Sequence, residues 1–156
     1  DHAPCSGIIQ IGLSLLFSIN YQRWMLMSEL PRIINTQRAP QAVGPYSQGI
    51  SAGGLLFTAG QIPLDPDNGQ MVPSRIEAQT HRVLKNLAAV LEAAGTSLDR
   101  VVKVTVFMTD LSQFNLMNKV YGEYFVSNPP ARSTVEVAAL PLGAQIEIEC
   151  VAVVGE

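Results

Sequence analysis

The stretch "VVKVTVF", residues 101–107, decides the fold. Its valines and threonine are β-branched and favour an extended, pleated backbone. With side chains alternating between faces, Val102, Val104 and Val106 fall on one face, and Val101 and Phe107 on the other. Both faces are therefore apolar, and each needs cover. Upstream, Ile76, Val83, Leu84, Leu87, Val90, Leu91 and Ala94 form one helical stripe. Ser74 and Glu77 have the spacing of a capping box at its start, and Gly95 fits a C′ position at its end. Downstream, a second helix is predicted from Leu111 to Phe125, with Phe114, Met117, Val120, Tyr121 and Tyr124 on its buried side. Strands are predicted at "RIIN" (32–35), "QGISAGG" (48–54), "LLFTAGQI" (55–62), "RSTVEVAAL" (132–140) and "QIEIECVAVV" (145–154). Gly53-Gly54 has the composition of a tight hairpin turn. The order βββ-αβ-αββ describes a single α+β domain, a six-stranded mixed sheet with two helices on one face. Two helices cover only one side of such a sheet, so the other side is expected to meet further subunits in a closed homo-oligomer.

Composition narrows the chemistry. The net charge is −3, and the ten basic residues are scattered rather than clustered, which argues against a nucleic-acid footprint. Cys5 and Cys150 lie far apart without metal-ligand spacing, and read as free thiols of a reducing compartment. Only His2 and His81 are present, too few for a zinc site or a Ser-His or Cys-His pair. His81 has charged neighbours and reads as a solvated helix-face residue. No Gly-rich phosphate loop occurs. Catalysis is left to Arg, Glu, Tyr, hydroxyls, backbone groups and water.

Residues 1–27 differ from the rest of the chain. The apolar run "GIIQIGLSLLFSI" (7–19) is too short to span a bilayer comfortably and lacks a basic segment before it. Met27 opens "MSELPRIINTQRAP", so 1–27 is expected to be an added or upstream extension, and 28–156 the domain proper. A cytoplasmic location is expected, or an organelle if residues 1–26 are a natural leader.

"NPPARSTVEV" (128–137) places Arg132 behind two prolines, which fix their own φ and push each preceding residue toward extended geometry. A stiffly presented guanidinium suits a carboxylate or phosphate. Taken alone, the same pattern also fits an exposed arginine at a strand edge. Glu147 alternates with Ile146 and Ile148 and fits the solvent face of a strand equally well.

Four ordered motifs remove much of that ambiguity. "APQAVGPYSQG" (39–49), "FTAGQIPLDPDNG" (57–69), "NPPARSTVEV" and "QIEIECVAV" (145–153) resemble the RidA family (YjgF, reactive intermediate deaminases), whose members are also described as endoribonuclease L-PSP or translation inhibitors. The resemblance runs from about residue 31 to 154. It implies a chorismate-mutase-like fold and a homotrimer with sites in the clefts between subunits. It also implies hydrolysis of 2-imino and 2-aminoacrylate acids to 2-keto acids and ammonia, with no metal and no organic cofactor. Carried over by motif, Arg132 is the carboxylate clamp, Glu147 holds or activates water, Tyr46 completes the catalytic set, and Gly60 offers a backbone contact. Asn118 matches a polar residue of the same cleft. Many members have serine where this chain has Ala59, and cysteine where it has Thr134, so the two flanking binding positions depart from the common pattern.

The implied chemistry agrees with the inventory. An imine next to a carboxylate needs a clamp, a water and a proton acceptor, and no covalent nucleophile. Two other readings stay open at this point: an endoribonuclease or translation inhibitor, and a non-catalytic ligand-binding or chaperone-like trimer.

Overall fold

The computed structural model describes residues 30–73 and 75–155. The extension 1–27, and with it the apolar run and Cys5, lies outside the described residues. The elements are β1 (Arg32–Ile34), β2 (Gly49–Ala52), β3 (Leu55–Thr58), α1 (Ile76–Ala93), β4 (Val101–Met108), α2 (Phe114–Tyr124), β5 (Ala131–Glu136) and β6 (Ile146–Val153). They form the expected α+β domain, with the strand order β1-β2-β3-β6-β4-β5. All neighbours are antiparallel except β4 and β5, which are parallel. A parallel pair needs a crossover, and here α2 supplies it. That crossover fixes α2 next to the strand carrying Arg132.

Local chemistry explains the element ends. Gly53 and Gly54 have φ of 59° and 77° between the paired residues Ala52 and Leu55, a two-residue hairpin loop that few side chains tolerate. Gly95 ends α1 with φ 81°. Its N–H donates to the Glu92 carbonyl at 3.0 Å and that of Thr96 to Leu91 at 3.0 Å, the paired bonds of a Schellman motif. The start of α1 differs from the capping-box expectation. Ser74 lies outside the described residues, and the N-cap is Arg75, extended and without a side-chain cap. Glu77 still sits in the first turn, where it complements the helix dipole.

The core lies between the helices and one face of the sheet. Leu56, Val83, Leu84, Leu87, Leu91, Met117, Ile146 and Ile148 are fully enclosed there. β6 alternates cleanly, with Ile146, Ile148, Cys150 and Ala152 inward and Glu147, Glu149, Val151 and Val153 toward the open face. Cys150 is a small core residue, its thiol pushed up to about 12 by burial.

Two expectations need correction. A β-bulge between Val101 and Lys103 shifts the alternation of β4, so Val101 joins Val104, Val106 and Met108 inside while Val102 is left 47% exposed. His81 is not a freely solvated residue: its Nδ1 lies 3.0 Å from the Tyr124 hydroxyl, at the contact between the two helices. Tyr124 is accordingly only half-buried, and Phe125 takes the fully inward place.

The second sheet face carries an apolar band. Ile33 (67% exposed) and Phe57 (47%) stand in one cross-strand row through Ile50 and on to Val151, and Val135 (41%) stands beside Phe107. Among the described residues, no helix is long and apolar enough to cross a membrane.

Candidate functional site: two half-sites on opposite sheet faces

Arg132 is the second residue of β5 and pairs in register with Val104, which is fully buried. Paired residues share a face, so Arg132 projects to the helix side. There its Nη2 donates to Asn118 Oδ1 at 2.8 Å. The guanidinium carbon sits 4.4 Å from the centre of the Tyr121 ring and 5.5 Å from that of Phe114. Pro129 and Pro130 wall the same cleft of about 360 Å³, together with Asn118, Tyr121 and Phe125. Thr134 follows on the same face of β5, half-buried opposite Val106.

Burial pushes the Tyr121 hydroxyl up to about 12, and the nearby Arg132 charge offsets only part of that shift. The hydroxyl has no hydrogen-bond partner among the described residues. Arg132 lowers the hydroxyl's pKa both by its charge and by the approach of a guanidinium N–H to the oxygen, although among the described residues no contact to that oxygen has ordinary hydrogen-bond geometry.

Glu147 occupies the other face. Ile146 and Ile148 point into the core, so the glutamate between them projects to the open side, in register with Phe107. Burial raises its carboxyl pKa above the usual value, and the neighbouring Glu149 charge raises it further. Gly60 packs directly on it. The Gln61 N–H donates to the Ile148 carbonyl at 2.9 Å, and the Ile148 N–H donates back at 3.1 Å, which draws the 59–61 backbone alongside β6. A Cβ on Gly60 would collide with the Glu147 carboxylate, 2.6 Å from Cδ and 2.8 Å from Cγ. Ala59 is held from the other direction, its N–H donating to the Gln48 carbonyl at 2.9 Å.

This contact yields a prediction. In Gly60→Ala the obstacle is a flexible carboxylate rather than backbone, so stability should fall by only about 1 kcal/mol. The carboxylate must swing aside, however, and turnover should drop at least about tenfold, since an ångström of misplacement at a reacting group can cost far more. Thermal melting and initial rates on the purified variant check both halves of the statement.

Tyr46 belongs to neither cluster in the isolated chain. It is 54% exposed on the loop before β2, its N–H donating to Gly44 at 3.0 Å. That loop is tied down by buried Gln48, whose Nε2 donates to the Pro40 carbonyl at 2.8 Å and the Thr36 carbonyl at 3.0 Å, and whose Oε1 accepts from the Thr36 N–H at 2.6 Å.

The structure thus brings Arg132 to Asn118, and Glu147 to Gly60, while keeping the two pairs apart. β4 lies between β5 and β6, and the two charged side chains leave opposite faces of the sheet. Within a single chain the two pairs therefore open toward different sides of the sheet. Tyr121 and Gln48 were not singled out as site residues by the sequence. The available signal for Tyr121 was its i, i+3 spacing from Asn118, which sets both on one face of α2. Among the described residues, no group of three or more His, Cys, Asp or Glu side chains could hold a metal ion.

Residues 36–154 match the family model described as Endoribonuclease L-PSP. A RutC family protein of Pyrococcus horikoshii is 52% identical over 123 residues, covering 79% of this chain and 98% of that protein. The human protein named 2-iminobutanoate/2-iminopropanoate deaminase is 44% identical over 130 residues, covering 83% of this chain and 95% of its own length. The crystal structure of E. coli TdcF with bound serine superposes with a TM-score of 0.76 at 44% identity, covering 80% of this chain and 99% of that one.

Proposed function

Because the chain belongs to the endoribonuclease L-PSP family, the RidA/RutC group of proteins, we propose that it hydrolyses reactive 2-imino acids and their 2-aminoacrylate enamines to 2-keto acids and ammonia. The observation that carries this reading is the presentation of Arg132. Asn118 takes one Nη2 proton and the aromatic rings back the guanidinium plane, which leaves the remaining donors of the fork for a carboxylate. The name of the human relative and the serine bound in TdcF support a small carboxylate-bearing substrate.

The missing partner comes from a neighbour. The open face carries Glu147 among exposed apolar side chains, so packing that face against another subunit would bring a second chain's Arg132 half-site to it. A closed trimer satisfies this at each of its interfaces. In the assembled cleft, Arg132 fixes the substrate carboxylate and the Gly60 segment offers a backbone contact. Water held by Glu147 adds to the imine carbon, and Glu147 accepts its proton. That proton is passed to the carbinolamine nitrogen, through Glu147 or Tyr46; as the C–N bond breaks and ammonia leaves, Glu147 takes the hydroxyl proton and the C=O of the 2-keto acid forms. The raised carboxyl pKa suits a group that both takes and returns a proton.

The test is a coupled assay. Threonine dehydratase generates 2-iminobutanoate in the presence of a reporter of the imine, and release of 2-oxobutanoate is followed with and without this protein. Faster keto-acid release and less trapped imine support the proposal. Unchanged rates with measurable 2-oxobutanoate binding would instead make the protein a binder.

A further inference from the structure

We infer that Tyr121 is a positioning residue for the proposed reaction, its ring face rather than its hydroxyl holding the Arg132 fork in the geometry that receives the carboxylate; this rests on the clamp reading of Arg132. Arg132 leaves an edge strand on a long flexible side chain, yet Asn118 restrains only one of its terminal nitrogens. A single hydrogen bond leaves the guanidinium plane free to rotate about it. The Tyr121 ring, 4.4 Å beneath the guanidinium carbon, removes that freedom, because a planar cation is held by the negative face of an aromatic ring. Phe114 adds a weaker second surface at 5.5 Å.

The rigidity of the platform comes from the core. Tyr121 is 5% exposed and stacks on Phe125 with ring centres 4.5 Å apart. The hydroxyl, in contrast, is buried and has no partner of ordinary hydrogen-bond geometry among the described residues. Ring and hydroxyl therefore make opposite predictions.

The experiment measures binding of 2-oxobutanoate to the intact oligomer by calorimetry, alongside melting temperature and the separate kcat and KM. Tyr121→Phe should bind within about twofold of the parent, since the ring face under the guanidinium is kept. Tyr121→Leu should weaken binding by about 5- to 30-fold, the range expected of a desolvated cation–ring contact, and raise KM more than it lowers kcat. If the leucine variant fails to fold, phenylalanine carrying one, three and then five ring fluorines at this position keeps the shape while draining the ring face of negative charge. Binding should then weaken step by step. A flat series, or parent-like binding by a folded leucine variant, would overturn the role of Tyr121. Loss of binding in Tyr121→Phe equal to that in Tyr121→Leu would overturn the ring in favour of the hydroxyl. Arg132→Ala separates the two levels: parent-like binding there would overturn the clamp itself, whereas lost binding there with a flat fluorine series rejects only the platform.

Discussion

Arg132→Lys is expected to lower kcat/KM for 2-iminobutanoate by about 10- to 100-fold while the protein stays folded. Lysine keeps the charge but offers a point donor in place of the planar fork, so one of two parallel bonds to the carboxylate is lost. A net value of about 1.5–3 kcal/mol for a hydrogen bond to a charged group corresponds to that loss. Lysine also cannot reach Asn118 Oδ1 and stack on Tyr121 in the way the guanidinium does. Folding should survive because Arg132 lies at the rim of the cleft, outside the enclosed core. Initial rates and 2-oxobutanoate titration should weaken together, the sign of a lost binding contact. Parent-like turnover in the lysine variant would show that two-point clamping is not the role of this residue.

Glu147→Gln is expected to slow keto-acid release by at least about tenfold, within or below the usual worth of general-base assistance of about 10²–10⁴-fold. Glutamine keeps the shape against Gly60 but cannot take a proton from water. The value falls toward the low end because activated imines already react readily with water. 2-Oxobutanoate should still bind, since the carboxylate is held elsewhere. The pH profile supplies a second readout. A base must be ionised, so the rate should fall as pH drops through the Glu147 pKa, and burial with the Glu149 charge shifts that limb upward from the ordinary glutamate value. The limb should vanish in the glutamine variant. As a plain solvent-face residue, Glu147 would instead tolerate the change with about 0.5 kcal/mol or less of stability and no kinetic effect.

Much of this arrangement is written in local side-chain chemistry. The valine-rich run of β4 and the alternation of Ile146, Ile148 and Cys150 define buried strands through side-chain chemistry that acts locally. Gly95 announced the end of α1 because only a residue free of a Cβ penalty takes φ 81° at low cost. The bulge at Val101–Lys103 was not legible, since it depends on how β6 pairs rather than on β4 itself. His81 looked solvated because its partner Tyr124 lies 43 residues away on another helix.

The same limit governs the site. The residue types of Arg132 and Glu147 suggest a clamp and a base, and their motifs reinforce it. Their separation onto opposite faces follows from two registers across β4, Val104 with Arg132 and Phe107 with Glu147. Neither register is written in a local pattern. Tyr121 likewise reads as an ordinary inward aromatic until Arg132 is seen lying over it.

An active cleft that takes Arg132 from one subunit and Glu147 from another can be tested by mixing two defective chains. Arg132→Ala and Glu147→Gln chains, each nearly inactive alone, should be unfolded together, refolded as a mixture and assayed. In randomly assembled closed trimers, about a quarter of the clefts would combine an intact Arg132 with an intact Glu147 from its neighbour, so about a quarter of the parent activity should return. If both residues instead acted from one chain, every cleft would still lack one of them. A refolded mixture no more active than its separate components would rule out a cleft shared between subunits.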